Sequence, residues 1–342
     1  MIKSRGVLIL SKELPPTVGG AGIVAHTIYR SLQRKGIDVD ISAISHPNKY
    51  INLFITLKYI LQSFAFKSII LNDLYFKKVW LTLFRGYLSG NAIVYLHGSE
   101  PEFLMNNSAY KKRFLRLCSN SKSVVAVSSY MKQKFLASID TESIKKKLEG
   151  KIRIISNGID TDIFNYKGRD FASSPLIIVS AGRLVREKGF YTKADLIKEL
   201  IEVHKLNVRW HIAGTGPDSG LIKKYIEDCH LIPYVTFHGA LNQSKLANLY
   251  NQSHVFLLLS ELKESLGLVY MEASCCGCYS IGLNRYGVKE AIVDNKTGNL
   301  VDNTSNAIKL ILDRNHSPTS ISSYATKHFS SDIMYKKLKA LF

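Results

Sequence analysis

The sequence predicts an α/β chain made of two doubly wound parallel sheets. Short β-branched runs alternate with longer segments of helical spacing, the whole alternation restarts past residue 175, and several strands run into glycine-bearing turns. In the first series the runs Gly6–Leu10, Val39–Ile44, Ser68–Leu71, Ala92–Leu96, Ser123–Val127 and Ile152–Ile155 read as strands. Ile23–Arg34, Tyr110–Leu117 and Ser129–Ala137 read as helices between them. In the second, Leu176–Ser180, Val208–Ala213, Val235–His238, Val255–Leu259, Tyr279–Gly282 and Gly298–Val301 are the strands. Helical spacing marks Lys193–His204, Leu221–Cys229, Lys245–Tyr250, Leu268–Cys276 and Val288–Ile292. The polar stretch Asn165–Pro175 reads as the linker. Two such domains facing each other bind ligands at the carboxyl ends of their strands, in a central cleft.

Composition bounds the class. The 342 residues are 46% apolar and 21% charged, enough for two buried cores. No apolar run spans a bilayer, since Lys58 and Lys67 interrupt the most hydrophobic stretch, Ile51–Leu71. The apolar core near the start, Val7–Leu10, is too short for a secretory signal, so a cytoplasmic protein is expected. Cys118, Cys229, Cys275, Cys276 and Cys278 lack the second cluster or His pair of a zinc site and read as buried reduced thiols. Charge is uneven: residues 1–160 hold 24 Lys+Arg against 10 Asp+Glu, residues 161–342 hold 22 against 17. Lys111, Lys112, Arg113 and Arg116 cluster, as do Lys145, Lys146 and Lys147, so the first half should attract an anionic partner. Phe54, Lys58, Tyr59, Phe64, Phe66 and Lys67, then Tyr75 to Tyr87, interleave aromatics with cations. That mixture suits a surface lying on lipid headgroups, stacked bases, or an aromatic core with a solvated lysine face.

Strand ends hold the candidate chemistry. Gly19, Gly20 and Gly22 follow the first strand, where a helix N-terminus can meet an anion, although a glycine-rich turn also serves simply as a turn. His97-Gly98 ends the strand Ala92–Leu96, and its imidazole can bond a hydroxyl or exchange a proton. Arg183 and Lys188 flank a turn suited to a diphosphate, and Gly214 lies in a second glycine-bearing turn. Glu264 precedes a helix and Glu272 follows eight residues later, about two turns on. Both carboxylates are therefore expected on one side of a pocket, with the amides of Leu266, Gly267, Leu268 and Val269 as an anion site between them. Carboxylates accept from vicinal hydroxyls, so this set describes a nucleotide-sugar site.

In order, GGAGIVAHTIYRSL, YLHG, VVAVSSYMKQKF, IISNGIDTDIF, AGRLVREKGF, IAGTGP and the Glu264 to Glu272 E-x7-E segment resemble the GT-B glycosyltransferases of family 4, the glycosyl transferases group 1, of bacterial surface-polysaccharide type. The resemblance implies a 1–165 acceptor-side domain, a 166–329 nucleotide-sugar domain and a 330–342 helix returning to the first. It implies that Arg183 and Lys188 bind the donor diphosphate, Glu272 the ribose hydroxyls, Glu264 the transferred sugar and His97 the sugar near the reaction centre. Gly19 and Gly20 would approach diphosphate or acceptor. The implied reaction is retaining, metal-independent hexosyl transfer from a UDP- or GDP-sugar to a glycan or polyprenyl-diphosphate-linked acceptor, with no cofactor and no nucleic-acid partner. An anionic membrane surface on the inner face of the plasma membrane is the expected location of the acceptor. Alternatives are a GT-B nucleotide-sugar epimerase, a glycan phosphorylase, or a catalytically degenerate basic membrane- or nucleic-acid-binding protein. The sequence departs from the family pattern at Ser265-Leu266, at Ser274 to Tyr279 and at Tyr286-Gly287, which bears on the donor sugar.

Overall fold

The structure, a computed structural model, describes residues 5–12, 14, 19–42, 44, 48–168, 175–313 and 315–342. Residues 15–18 of the first glycine-rich turn, residue 43 of the strand expected over 39–44 and residues 169–174 of the expected linker lie outside the described residues. The chain forms two compact units, residues 1–158 with 331–342, and residues 159–330. The division falls at Gly158–Ile159, ahead of the polar stretch, because Ile159 and Phe164 are buried within the second unit, where Phe164 meets the Tyr250 ring at 6.2 Å.

Unit 1 runs β1 (Arg5–Leu10), α1 (Gly20–Arg34), β2 (Val39–Ile41), α2 (Lys49–Ser63), β3 (Phe66–Leu71), α3 (Leu74–Phe84), β4 (Ala92–Leu96), α4 (Ser108–Asn120), β5 (Ser123–Ala126), α5 (Ser129–Ala137), α6 (Glu142–Lys151) and β6 (Ile152–Ile154). Its sheet is parallel in the order β2-β1-β3-β4-β5-β6. All five residues of β4 are buried, as expected of a central parallel strand covered on both faces. Side chains set the helix starts: Asp73 caps α3 by accepting from Phe76 N at 2.9 Å, and Ser128 caps α5 by accepting from Met131 N at 3.0 Å. In α1 the buried positions Val24, Ala25, Ile28, Ser31 and Leu32 recur at helical spacing.

Unit 2 runs β7 (Leu176–Ala181), α7 (Phe190–Glu202), β8 (Val208–Ala213), α8 (Ser219–Asp228), β9 (Val235–Gly239), α9 (Gln243–Asn251), β10 (Val255–Leu258), α10 (Leu268–Cys275), β11 (Tyr279–Leu283), α11 (Val288–Ala291), β12 (Gly298–Val301), α12 (Thr304–Leu312) and α13 (Pro318–Phe329). The parallel order β12-β11-β10-β7-β8-β9 builds outward from β7 in one direction, then jumps to β10 and builds the other way. Fully buried Trp210 donates from Nε1 to Ser180 Oγ at 3.0 Å, and that hydroxyl donates to Leu257 O at 2.6 Å, tying β8, β7 and β10 together at the reversal. None of the five cysteines is in a disulfide, and all but Cys229 are buried.

After unit 2 the chain re-enters unit 1 as α14 (Ser331–Leu338), which packs on α1 and has Met334 and Leu338 buried. Ser31 Oγ donates to Ser331 O at 3.3 Å. Among the described residues no helix is long and apolar enough to cross a membrane. Met334→Ala is expected to destabilise unit 1 by about 2 to 3 kcal/mol, through lost transfer energy plus the cavity left under α14. Urea unfolding followed by an α1 amide probe would measure it.

Candidate functional site

In a doubly wound sheet the loops that leave two strands at the reversal point diverge, exposing the carboxyl ends between them. In unit 2 that place is β7/β10. β7 runs into Gly182 and Arg183, then a 3-10 turn, Arg186–Lys188. β10 runs into Leu259–Gly267. The two loops are joined: Glu261 N donates to Glu187 O at 2.8 Å, and Lys188 Nζ pairs with Glu264 Oε1 at 2.5 Å. Ser260 Oγ donates to the same Glu264 oxygen at 2.8 Å. The pair is 14% and 17% exposed, shielded enough that its attraction is not screened as a surface salt bridge would be. Arg183 is exposed, and no described residue bonds its guanidinium. Its turn depends on Gly214, whose φ of +133° and close approach leave no room for a side chain: a Cβ there would lie 1.9 Å from Gly182 O. Gly214 is thus a packing requirement of the Arg183 turn.

α10 begins at Leu268 after Gly267, which takes φ +92° and supplies no side-chain cap. The amides of Leu268 and Val269 open the helix without intrahelical acceptors and sit at its positive end. This corrects the expected two-turn spacing: only Leu268 to Glu272, about one turn, is helical. Glu264 is in the preceding loop, placed by Lys188 and Ser260 rather than by a shared helix face. The Leu266 side chain is buried. Glu272 is 4% exposed, and burial raises its carboxyl to about 7.

One charge has no signal in the sequence. Lys193, on α7, is fully buried with no hydrogen-bond partner for Nζ, which lies 3.6 Å from the Phe190 ring centroid. Burial, then the charge of Lys188, pushes its pKa well below the ordinary lysine value. A lysine at a helical core position gives no spacing signal, so only packing reveals it.

In unit 1 the strand order reverses at β1/β3, and His97 follows β4 beside it. His97 Nε2 lies 2.9 Å from Asn72 Oδ1. The Asn72 amide nitrogen donates to Ala21 O at 2.9 Å and to Ser11 Oγ at 3.1 Å, which turns Oδ1 toward the ring. An amide oxygen only accepts, so the network assigns the proton to Nε2 and leaves Nδ1 with its lone pair. Burial, then the nearby Lys77 charge, lowers the His97 pKa to about 4, so the ring is neutral at pH 7 and its Nδ1 lone pair is able to accept a hydrogen bond.

A buried ion pair holds this arrangement. Glu100 Oε2 accepts from His97 N at 3.0 Å and Gly98 N at 2.9 Å, while Oε1 meets Lys77 Nζ at 2.5 Å. Lys77 also donates to Asn72 O at 2.7 Å, and both side chains are essentially unexposed. Burial alone would raise the Glu100 carboxyl, but Lys77, His97 and the Gly98 amide together hold it below its usual value. Gly19 caps α1 in extended conformation, and nothing lies within 4 Å of where a Gly20 Cβ would stand. Among the described residues, packing does not require a glycine at position 20. Among the described residues no cluster of three His, Cys, Asp or Glu is placed to hold a metal.

The fold is an α/β arrangement of two Rossmann-like domains, and known proteins narrow the class. Residues 164–328 match the model of the family described as Glycosyl transferases group 1. The chain is 32% identical over 147 residues to a component of the phosphatidylinositol N-acetylglucosaminyltransferase of Arabidopsis thaliana, covering 42% of this chain and 32% of that one. It is 27% identical over 225 residues to the GDP-mannose-dependent alpha-(1-6)-phosphatidylinositol monomannoside mannosyltransferase of Mycolicibacterium smegmatis, covering 61% and 56%. The matched chain thus spans between a third and just over half of those relatives. In fold it is similar to Anabaena HepE, solved with UDP and glucose, with a TM-score of 0.74, 15% identity and 98% of both chains covered. The fold is GT-B.

Two outcomes follow. Lys77→Met leaves Glu100 buried without its counter-charge and should cost about 3 to 5 kcal/mol, while adding Glu100→Gln should recover most of it. Urea midpoints of both variants would show this. Glu272, whose carboxyl rises from 4.5 to about 7 on folding, imposes no penalty below pH 4.5. The penalty grows from there and is complete above about pH 7, so the ligand-free protein should lose stability over this range and Glu272→Gln should flatten the loss. Melting temperatures across that pH range test it.

Proposed function

We propose that the protein is a retaining glycosyltransferase that moves a hexose from a UDP- or GDP-sugar to a glycan or lipid-linked acceptor in bacterial surface-polysaccharide synthesis, without a metal. The observation that carries this reading is the Lys188–Glu264 pair at the β7/β10 reversal, with exposed Arg183 following β7 and the uncapped amides of α10 following β10. In transfer, the bond between the anomeric carbon and the diphosphate oxygen breaks, the diphosphate leaves with the electron pair, and the acceptor oxygen bonds the anomeric carbon while its proton passes to the departing diphosphate. Arg183 and Lys188 would hold the growing negative charge of the leaving diphosphate, a role in which one lost donor typically costs 10² to 10³ in rate. The buried Glu272 carboxyl gains hydroxyl donors from a ribose, which stabilises its ionised form. Glu264 would hold Lys188 and meet the sugar hydroxyls. In unit 1, the neutral His97 offers an acceptor to a sugar hydroxyl.

Support for a lipid-linked acceptor comes from the names of the two relatives, both of which act on phosphatidylinositol compounds. The excess of cations in residues 1–160 favours the same location, a peripheral one on an anionic membrane face.

Calorimetry with UDP-glucose, UDP-galactose, UDP-N-acetylglucosamine and GDP-mannose in EDTA tests the reading. One donor should bind, and Glu272→Ala should abolish binding. Lys188→Ala should lower kcat/KM by roughly 10² to 10³. Retention is read from the anomeric proton coupling of the product. A protein that binds no nucleotide sugar, or a Lys188→Ala variant as fast as the parent, would refute it.

A further inference from the structure

A second charged constellation lies in unit 1, away from the β1/β3 reversal. α3 ends in two successive left-handed residues, Arg85 at φ +51° and Gly86 at φ +84°. Gly86 abuts α4 so closely that a Cβ would stand 2.5 Å from Arg113 O. The turn therefore folds Arg85 and Tyr87 against α4, bordering an open cavity of about 470 Å³ lined by these two with Ser108, Lys112, Arg113 and Arg116. Arg116 is locked in place, its guanidinium 4.1 Å over the Tyr87 ring and donating to Arg85 O at 3.2 Å.

Four cations share this cavity and no carboxylate lines it. Among the described residues none of the four makes an ion pair, whereas their neighbour Lys111 is paired with Asp140. Like charges gathered around one space repel, and a left-handed arginine adds backbone strain. Such an arrangement is relieved by an anion, and forked guanidinium donors fit phosphate oxygens in particular.

The surroundings say what bears the phosphate. Leu83, Tyr87 and Leu88 on the same segment are 47%, 63% and 52% exposed. Phe84 meets Phe64 edge-on at 5.8 Å, and Phe64, itself 56% exposed, follows the last turn of α2. Along α2, Tyr50, Phe54, Leu57 and Leu61 are all exposed, spaced four, three and four residues apart, so they form one stripe. The opposite face buries only Thr56, Ile60 and Ser63. The apolar stripe of an ordinary surface helix faces inward; here it faces out and joins the phosphate cavity through Phe64 and Phe84.

We propose that this cavity binds the phosphate of an anionic membrane lipid, with the α2 stripe lying along the headgroup and acyl boundary. The proposal rests on the peripheral-membrane part of the reading above and is independent of glycosyl transfer. Cations in the cavity hold the headgroup and the stripe adds apolar area, so neither contribution replaces the other.

Vesicle sedimentation of the full chain tests it, using phosphatidylcholine alone and phosphatidylcholine with phosphatidylglycerol. The parent should prefer the anionic vesicles. Lys112→Gln/Arg113→Gln should weaken that binding by roughly twentyfold, while Lys146→Gln/Lys147→Gln, which removes the same charge elsewhere on unit 1, should change it little. Phe54→Ser/Leu61→Ser, at exposed positions, should weaken binding to both vesicle types. All three variants should bind nucleotide sugar like the parent. Equal binding to neutral and anionic vesicles, or equal losses from the two lysine-containing pairs, would overturn the proposal. So would calorimetric binding of inorganic pyrophosphate that needs Lys112 and Arg113 in a chain with no vesicle preference, since the ligand would then be a soluble anion. Vesicle binding as described in a protein that takes no nucleotide sugar would uphold this site while refuting the transfer reading.

Discussion

Everything chemical in this protein depends on where the strand order of a parallel sheet turns back on itself. Crossovers in such sheets are right-handed, so a sheet that grows first one way and then the other sends the two loops at its origin to opposite faces. At β7/β10 that divergence leaves strand ends uncovered, and the Trp210–Ser180–Leu257 chain of hydrogen bonds fixes the three strands involved. The Arg183 turn, the Lys188–Glu264 pair and the start of α10 all take their positions from this frame. At β1/β3 the same geometry brings Ser11, Ala21 and Asn72 within reach of one another, and the ring of His97 takes its tautomer from them.

The buried charges divide into two kinds. Lys77 and Glu100 satisfy each other and also two loop amides and a backbone carbonyl, so their desolvation is offset by a complete network that shapes the His97 loop. Glu272 and Lys193 have no such compensation. Their ionised forms are held at raised energy by the surrounding protein, which shifts one carboxyl upward and one amine downward. Groups of this second kind gain most from a ligand that supplies the missing donors or charge.

Much of the fold could be read from the chain because parallel strands are buried on both faces and so appear as unbroken apolar runs. Ala92–Leu96 is such a run and has the expected limits; Val208–Ala213 and Gly298–Val301 have theirs too, although Arg209, His211 and Asn299 interrupt the apolar pattern. α2 and α3 could not be placed, for a physical reason: in α2 the exposed stripe is the apolar one, and in α3 aromatic and cation alike are buried, Trp80 beside Lys77. The mixture of aromatics and lysines that suited both a membrane face and a core is divided between these two helices. α12 and α13 fall outside the expected helices although Asn303 and Ser317, the latter followed by Pro318, cap them. The candidate residues stood out where glycine and charge coincide with a strand end, as at Gly182-Arg183 and His97-Gly98. The Lys77–Glu100 pair joins residues 23 apart through tertiary contact, which local spacing does not encode.

The chain passes between the two units at Gly158–Ile159 and again at Ser330–Ser331, and Ile159 bridges Ser330 in parallel where unit 2 begins and ends. Unit 2 is therefore an insertion within unit 1. On the ribosome, β1 to β6 emerge first but lack α14, which packs on α1 and has Met334 and Leu338 buried. Unit 2 is a contiguous segment and becomes complete earlier, so of the two units the one whose strands come first is the one finished last, with its apolar α1 face uncovered throughout elongation of the other.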